Sequence, residues 1–427
     1  MTEFLIAARA THFAATVLAT GLVFFRLLIA EPAMRGRSAA LIDALQIGWT
    51  RTLWTALVVS VLSGVAWLVI LTADIYGQTI TDVVRQGEIF AVAVDTRFGH
   101  ISCARLVLAV AIGALMPRPS VSLISWKIVL LVCAASLLAS LAWVGHAGAA
   151  PGVNGDIHLI SDVLHLLAAG AWVGGLLPLA MLLALARGEE QAWQTVMPRV
   201  VGRFSVLGIV SVGALLATGI INALYLVGSF RNLFGTDYGR LVLVKIVLFV
   251  VMVGIASVNK LHLTPRLAKA GAAPALRRNS LIELAIGALI LLAVAALGTM
   301  PPAAHNHAHA HAEYGPVATG AAFVHIHSEN GMADVTLAPG QVGTARATIR
   351  LWHEDLTELP AKAVTLILKA PAPGSNPLTR KARQNADGSW EVEGIPLGVS
   401  GNWTVNIEAL LSPSGRLDLD GPIVIEP

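Results

Sequence analysis

The chain has 427 residues, of which 56% are apolar and 13% are charged, with a formal net charge of +3 at pH 7. Soluble globular domains carry about 25% charged residues, so this composition excludes an ordinary soluble protein. No Lys/Arg-rich run with interleaved aromatic residues occurs, and no GxxxxGK[ST] stretch occurs either. The sequence therefore points away from nucleic-acid and nucleotide binding, and towards a membrane protein.

Eight apolar segments are each long enough to cross about 30 Å of hydrocarbon at about 1.5 Å per residue. They lie near residues 4–30, 49–73, 100–116, 123–146, 158–186, 203–228, 240–262 and 281–299. We therefore predict an all-α membrane domain over residues 1–300, built as a bundle of eight transmembrane helices.

Basic residues in the short loops predict the orientation of these helices. The connections after the first, third, fifth and seventh segments, with the adjacent helix ends, carry thirteen Lys or Arg residues, and the opposite connections carry four. Cytoplasmic loops are the ones enriched in Lys and Arg. The expected location is a bacterial inner membrane, crossed several times, with both termini in the periplasm.

The remainder of the chain reads as a soluble tail. Residues 301–322 form a linker rich in Pro, Ala and His. Short alternating runs then follow at 323–327, 333–337, 344–352, 362–370, 389–395 and 402–410, separated by turn residues such as Pro339-Gly340. Strands of this length and spacing predict a small, immunoglobulin-like β-sandwich of about seven strands over residues 323–427.

Six residues that could ligate a metal ion lie at the predicted outer ends of the helices. They are His12, His100, His146, His158, Asp162 and His165. Among them, His158, Asp162 and His165 follow an i, i+4, i+7 spacing, which places all three on one helix face. Ionisable groups inside a membrane are costly and mark ion or proton paths, so we predict a metal site here. The alternative is that these side chains only hydrogen-bond neighbouring helices.

Two further groups are candidates for auxiliary roles. A flexible histidine tract binds transition metals, copper above zinc and nickel, although it also suits a simple low-complexity spacer. The tract and the strand after it contribute His305, His307, His309, His311, His325 and His327. At the opposite membrane face, Asn259, His262 and Glu283 are candidates for an inner gate, with interhelical hydrogen bonds or a Lys260–Glu283 pair as the alternative.

Several strings carry a resemblance to a known family. They are SDVLHLLAAGAWVGGLLPL at 161–179, GHAG at 145–148, GRFS at 202–205, LATGIINALYLVGSF at 216–230, TDYGRLVLVKIVLF at 236–249 and LGTMPP at 297–302. Together they resemble the signature of the copper resistance protein D family. The resemblance implies copper movement across the inner membrane, usually described as uptake, and points to His146, Asp162 and His165 as functional residues, with His12 beside them.

The expected function is therefore copper import without ATP hydrolysis and without enzymatic activity. Copper ions collected in the periplasm, with a periplasmic copper chaperone as a candidate partner, would enter through the His/Asp site. One alternative is a membrane cytochrome, in which two of the histidines ligate haem iron. A second alternative is a copper sensor or assembly partner that does not transport.

Overall fold

The computed structural model describes residues 2–34, 39–116, 124–145, 152–185, 196–267, 272–304, 320–328, 331–353, 358–371, 377–412 and 415–426. The chain divides into two compact units, Met1–Asn306 and His307–Pro427. The first unit is helical and the second consists of β-strands. Each is described by itself.

The helical unit contains eight helices, within the part of the chain that is described, that are long and apolar enough to cross a membrane. They are built on α1 (Thr2–Phe24), α2 (Ala39–Tyr76), α3 (Arg97–Leu115), α4 (Ile124–Ala139), α5 (Gly152–Leu185), α6 (Met197–Leu226), α7 (Asp237–Val258) and α8 (Ala272–Leu297). The span of α4 continues through the 3₁₀ segment Ser140–Val144, which brings it to 21 residues. The predicted eight-helix membrane bundle is confirmed. All but α4 begin before the apolar segments that predicted them, because a helix can start outside the hydrocarbon, whereas only α2 continues past the predicted end.

Local sequence signals fix several helix ends. Thr96 caps α3 by accepting a hydrogen bond from the Gly99 amide at 3.0 Å, and Thr236 caps α7 through the Gly239 amide at 2.9 Å. Such caps satisfy amide groups that have no partner within the helix. Both α1 and α7 end in a π-helical segment, at Phe25–Ala30 and Asn259–Leu263 respectively.

Glycine allows the central helices to approach closely. Gly174 of α5 lies directly against the backbone of α1 at Val17 and Gly21, so a side chain at either glycine would meet main-chain atoms. Gly175 in turn faces the ring of Phe204 on α6. Small residues at helix crossings are how membrane bundles gain packing contacts in the absence of a hydrophobic driving force. The glycines of the Trp172–Gly175 string therefore serve close helix packing.

The outward faces of the bundle are apolar. On α7, for example, Val244, Val247, Val250 and Val251 are all exposed. An exposed apolar surface of this extent is unfavourable in water but is the natural surface for contact with lipid.

The β-unit contains nine strands among the described residues, arranged in two antiparallel sheets. They are β1 (Ala322–Ser328), β2 (Gly331–Ala338), β3 (Gly343–Trp352), β4 (Ala363–Lys369), β5 (Leu378–Lys381), β6 (Arg383–Gln384), β7 (Trp390–Leu397), β8 (Gly401–Ser412) and β9 (Gly415–Ile425). One sheet has the order β1-β2-β3-β7-β6 and the other β5-β4-β8-β9. Residues such as Ile349 of β3 and Ile407 of β8 meet in one buried cluster, so the sheets form a sandwich, as predicted.

Six of these strands coincide with the predicted runs, and three were not predicted. β5 and β6 are short and mostly polar, so they carry no hydrophobic alternation. β9 alternates buried Leu417 and Leu419 with exposed neighbours, but Gly421-Pro422 interrupts the pattern and resembles a turn. Pairing with β8 over the full length of β9 overrides that local signal.

Candidate functional site

The seam between α5 and α6 gathers the polar residues predicted from spacing. His158 stacks on Tyr225 of α6, with ring centroids 4.8 Å apart and an interplanar angle of 10°. Asp162 Oδ1 accepts a hydrogen bond from Asn222 Nδ2 at 3.2 Å. His165 meets α6 as well, so the prediction that His158, Asp162 and His165 share one helix face is confirmed.

The hydrogen bonds around His165 show which of its ring nitrogens carries a hydrogen. Its Nδ1 lies 2.9 Å from the hydroxyl oxygen of Thr218, which itself donates to the Ala214 carbonyl at 2.6 Å. Because the hydroxyl has only one proton, it accepts from His165, and Nδ1 carries the hydrogen. The neutral ring therefore has its free lone pair on Nε2, where a metal ion can bind. The hydrogen bond from Nδ1 to Thr218 fixes the orientation of the ring.

Lys245 of α7 belongs to this cluster and was missed by the sequence reasoning. It is half-buried within the span, and its charge acts on both Asp162 and His165. The Asp162 charge also acts on Tyr238, which lies two turns before Lys245 on α7. An intramembrane lysine is itself a signal of function, and the string TDYGRLVLVKIVLF contains it. Its neighbourhood to Asp162 depends on how α7 docks, which no local pattern reveals.

His12 lies on a different side of α1, facing α2. Its Nδ1 donates to the Ser60 carbonyl at 2.9 Å, and Ser63 Oγ lies 3.4 Å from the same nitrogen. The ring is 2% exposed, and its Nε2 has no hydrogen-bond partner among the described residues. It contacts Trp67 edge to face. His12 therefore also presents an Nε2 lone pair, but it faces α2, whereas His165 faces α6.

Two guanidinium groups surround this second histidine. Arg9 and Arg105 place their Cζ atoms 5.1 and 5.6 Å from the centroid of the Trp67 ring that touches His12. Arg9 is held by the Gly298 carbonyl and Arg105 by Ser140. Positive charges at this range oppose the arrival of a metal cation.

The remaining predicted residues of the outer site lie apart or outside the described residues. His100 is exposed at the start of α3, with Nε2 2.5 Å from the Val94 carbonyl oxygen. His146 lies outside the described residues, although its chain neighbour Gly145 lies next to the Asp162 carboxylate. Within the described ranges, no group of three His, Cys, Asp or Glu side chains is close enough to hold a metal ion. The metal site therefore stays a prediction.

The candidate inner gate is only partly assembled. Asn259 Nδ2 donates to Glu283 Oε1 at 2.6 Å, and Asn259 Oδ1 accepts from Asn279 Nδ2 at 2.8 Å. Glu283 thus pairs with an amide rather than with Lys260. His262 is exposed and takes no part in this network.

The auxiliary histidines fall mainly on residues that the structure does not describe. His305, His307, His309 and His311 lie outside the described residues, as does the side chain of His327. His325 Nδ1 lies 2.6 Å from Asp334 Oδ1, and Asp334 Oδ2 accepts a hydrogen bond from Trp352 Nε1 at 2.8 Å. The hydrogen bond to Asp334 raises the pKa of the His325 imidazole above its usual value.

These features define a polytopic helical membrane protein with polar residues buried between its helices and a β-sandwich at its C-terminal end. Two family models match the helical unit: the copper resistance protein D-like N-terminal domain over residues 1–156 and copper resistance protein D over residues 198–297. The inner membrane protein YebZ of Escherichia coli (strain K12) is 33% identical over 304 residues, covering 70% of this chain and 98% of that protein. The chain belongs to the copper resistance protein D family, which confirms the resemblance seen in the sequence motifs.

Two other relatives carry copper in their names. Copper resistance protein D of Pseudomonas syringae pv. tomato is 34% identical over 173 residues, which is 39% of this chain and 56% of that protein. Copper transport protein CutJ of Bacillus subtilis (strain 168) is 26% identical over 291 residues, 66% of this chain and 49% of that protein. The protein is thus a copper-related, multi-pass inner-membrane protein, and its family is not a known class of enzymes. The β-sandwich lies outside both family-model matches.

Proposed function

We propose that the protein imports copper ions from the periplasm across the inner membrane, through a station formed by Asp162 and His165 in the α5–α6 seam. The observation that carries the proposal is the fixed tautomer of His165, which leaves Nε2 as a lone-pair donor beside a carboxylate inside a membrane span. Imidazole nitrogen is a favoured ligand for copper, and copper stands high in the affinity order of divalent metals.

The neighbouring chain supports a third ligand. His146 follows Gly145, and a side chain built on Gly145 would come within 4.0 Å of Asp162 Oδ2. His146 lies outside the described residues, and we include it in the proposed station on the motif positions of the family. His12 offers its own Nε2 on the other side of α1, but the nearby Arg9 and Arg105 disfavour a cation there, so we leave it outside the proposed station.

The positive charge of Lys245 balances the negative charge of Asp162 when the station is empty. An isolated carboxylate in a membrane span is costly, and the ammonium group compensates Asp162 before cargo arrives. Copper binding then competes with this resident cation. When copper is absent, the Lys245 ammonium group keeps other cations from occupying the site.

The linker and the β-unit are proposed to act in the periplasm, where copper is delivered. The asymmetry of basic residues supports a periplasmic location for both termini, and the histidine tract at His305 to His311 is then positioned to collect copper. A periplasmic copper chaperone is the proposed donor.

The test is copper accumulation in cells that express the chain as their only copper importer. The double substitution His146→Ala with His165→Ala is expected to abolish import, whereas His353→Ala, at an exposed position of the β-unit, is expected to leave it intact. Unchanged accumulation in the double variant would overturn the proposal. A Soret band in the purified protein would instead favour the haem-binding alternative.

A further inference from the structure

A cavity of about 280 Å³ lies between α5, α6, α7 and α8, towards the end of the bundle opposite Asp162. Most of its lining is apolar, and Glu283 is the one acidic residue among the described residues that line it. The Glu283 side chain is buried, with 1% of the residue exposed. This Glu283 chamber is therefore a partly open cavity, with the buried carboxylate in its inner wall and exposed residues such as Ile209 and Leu261 at its edge.

Glu283 lacks a compensating charge within the described part of the chain. Its one hydrogen-bond donor is Asn259, and the Asn259 amide is oriented by Asn279, which occupies its oxygen. Lys260 also lines the chamber but makes no ion pair with Glu283. A buried carboxylate without a counter-charge needs a proton or a metal cation.

The hydroxyl groups around the chamber are arranged as acceptors. Ser257 donates to the Val253 carbonyl at 2.7 Å, and Ser280 donates to the Leu276 carbonyl at 3.0 Å. Because each hydroxyl has spent its only proton on the backbone, the oxygen retains lone pairs for another partner. A carboxylate with acceptor-only hydroxyls favours a cation and disfavours an anion.

The donor set also selects the kind of cation. Carboxylate and hydroxyl oxygens are hard ligands, which suit alkali and alkaline-earth ions, whereas copper prefers imidazole and sulfur. The described lining holds one carboxylate and one ammonium group, that of Lys260, so it offers no surplus of negative charge for a divalent ion. The π-helical segment of α7 begins at Asn259, and such segments often occur at functional sites.

The chamber is linked to the copper station along the same helices. Trp172 lines the chamber and follows His165 by two helical turns, so both lie on one face of α5. Phe249 packs edge to face on Trp172, with centroids 6.3 Å apart, and lies one turn after Lys245 on α7. The ring pair thus lies between the two polar regions along α5 and α7.

We infer that the Glu283 chamber binds a hard monovalent cation, Na⁺ or a proton, as the coupling ion for copper movement. The coupling role rests on the proposed function, whereas cation binding by the chamber does not. In the empty state the carboxyl group holds a proton, and Na⁺ binding releases it.

Cation binding is tested on the full-length protein in proteoliposomes, by labelling a cysteine inside the chamber. Ser205→Cys introduces the thiol at a lining position, in a Cys103→Ser, Cys133→Ser background. Reaction with a cationic methanethiosulfonate reagent is expected to slow about tenfold when Na⁺ exceeds its Kd about tenfold, with choline as the reference salt. Glu283→Gln should remove this protection, and Val250→Cys, on the lipid face, should show none.

Coupling is tested by copper uptake under an imposed Na⁺ gradient or pH gradient. Stimulation by one gradient that is lost in Glu283→Gln identifies that cation, and a pH response without Na⁺ protection identifies the proton. Absence of Na⁺ protection together with unchanged gradient responses in Glu283→Gln would overturn the inference. If the wild-type protein takes up no copper under any gradient, the proposed function is refuted. The labelling result would still decide whether the chamber binds Na⁺.

Discussion

The charge relationship between Asp162 and Lys245 gives a quantitative prediction for the stability of the helical unit. Asp162→Asn keeps the size of the side chain and removes its charge, and Lys245→Met keeps the length and removes the ammonium group. Each single variant leaves the other charge uncompensated within the span. We therefore expect each to lower the free energy of unfolding by about 3 kcal/mol.

The magnitude follows from the contacts. No direct ion pair joins these two described side chains, so their charges lie more than about 4 Å apart, and at a separation of about 6 Å the attraction would be about 3 kcal/mol for an effective dielectric constant of about 20. The Asn222 hydrogen bond to Asp162, at 3.2 Å, adds a smaller contribution of about 1 kcal/mol. In the double variant neither charge remains, so its loss should be smaller than the sum of the single losses by about 1–3 kcal/mol.

The assay is unfolding of the full-length protein by sodium dodecyl sulfate in mixed micelles, followed by circular dichroism. Asn222→Ala is the matched control, because it removes the hydrogen bond to Asp162 without changing any charge, and it should cost about 1 kcal/mol. Additive losses in the double variant would show that the two charges do not interact, and the charge balance assigned to Lys245 would be wrong.

Three further predictions follow from other parts of the molecule. Gly174→Leu places a side chain against the α1 backbone at Gly21, so it should destabilise the bundle by about 3 kcal/mol or prevent its assembly in the same unfolding assay, whereas Gly254→Leu, where an added Cβ meets nothing within 4 Å, should be tolerated. Because the pKa of His325 is raised in the folded state, its bond to Asp334 stabilises the β-unit below the unfolded pKa of about 6.5 and loses this effect as pH rises through the folded value. His325→Ala should therefore accelerate hydrogen exchange in β1 and β2 at pH 5.5 but not at pH 9, and equal effects at both values would contradict the assignment. A periplasm-active alkaline phosphatase fused after residue 427 should be active, and an active cytoplasmic reporter there would reverse the proposed orientation.

Much of the fold was predictable because the membrane imposes strong constraints. Backbone groups in lipid must be satisfied within a helix, so apolar length alone locates the eight spans. Alternation did the same for β3, β4 and β8. It did not detect β5 and β6, which are stabilised by pairing with longer strands rather than by their own side chains.

The candidate site was predictable only along one helix. Spacing placed His158, Asp162 and His165 on one face because their arrangement is set by helical geometry. It did not reveal that His12 faces α2 while His165 faces α6, nor that Lys245 approaches Asp162. Those relationships depend on how the helices dock, and docking is decided by contacts such as Gly21 with Gly174 that have no periodic signature.

Copper flux into proteoliposomes containing the purified full-length protein tests the central claim most directly. Asp162→Asn and His165→Ala should each reduce the initial rate to the level of empty vesicles, while His100→Ala, at an exposed position outside the seam, should retain the wild-type rate. Wild-type flux in the Asp162 and His165 variants would contradict the assignment of the α5–α6 seam as the copper station.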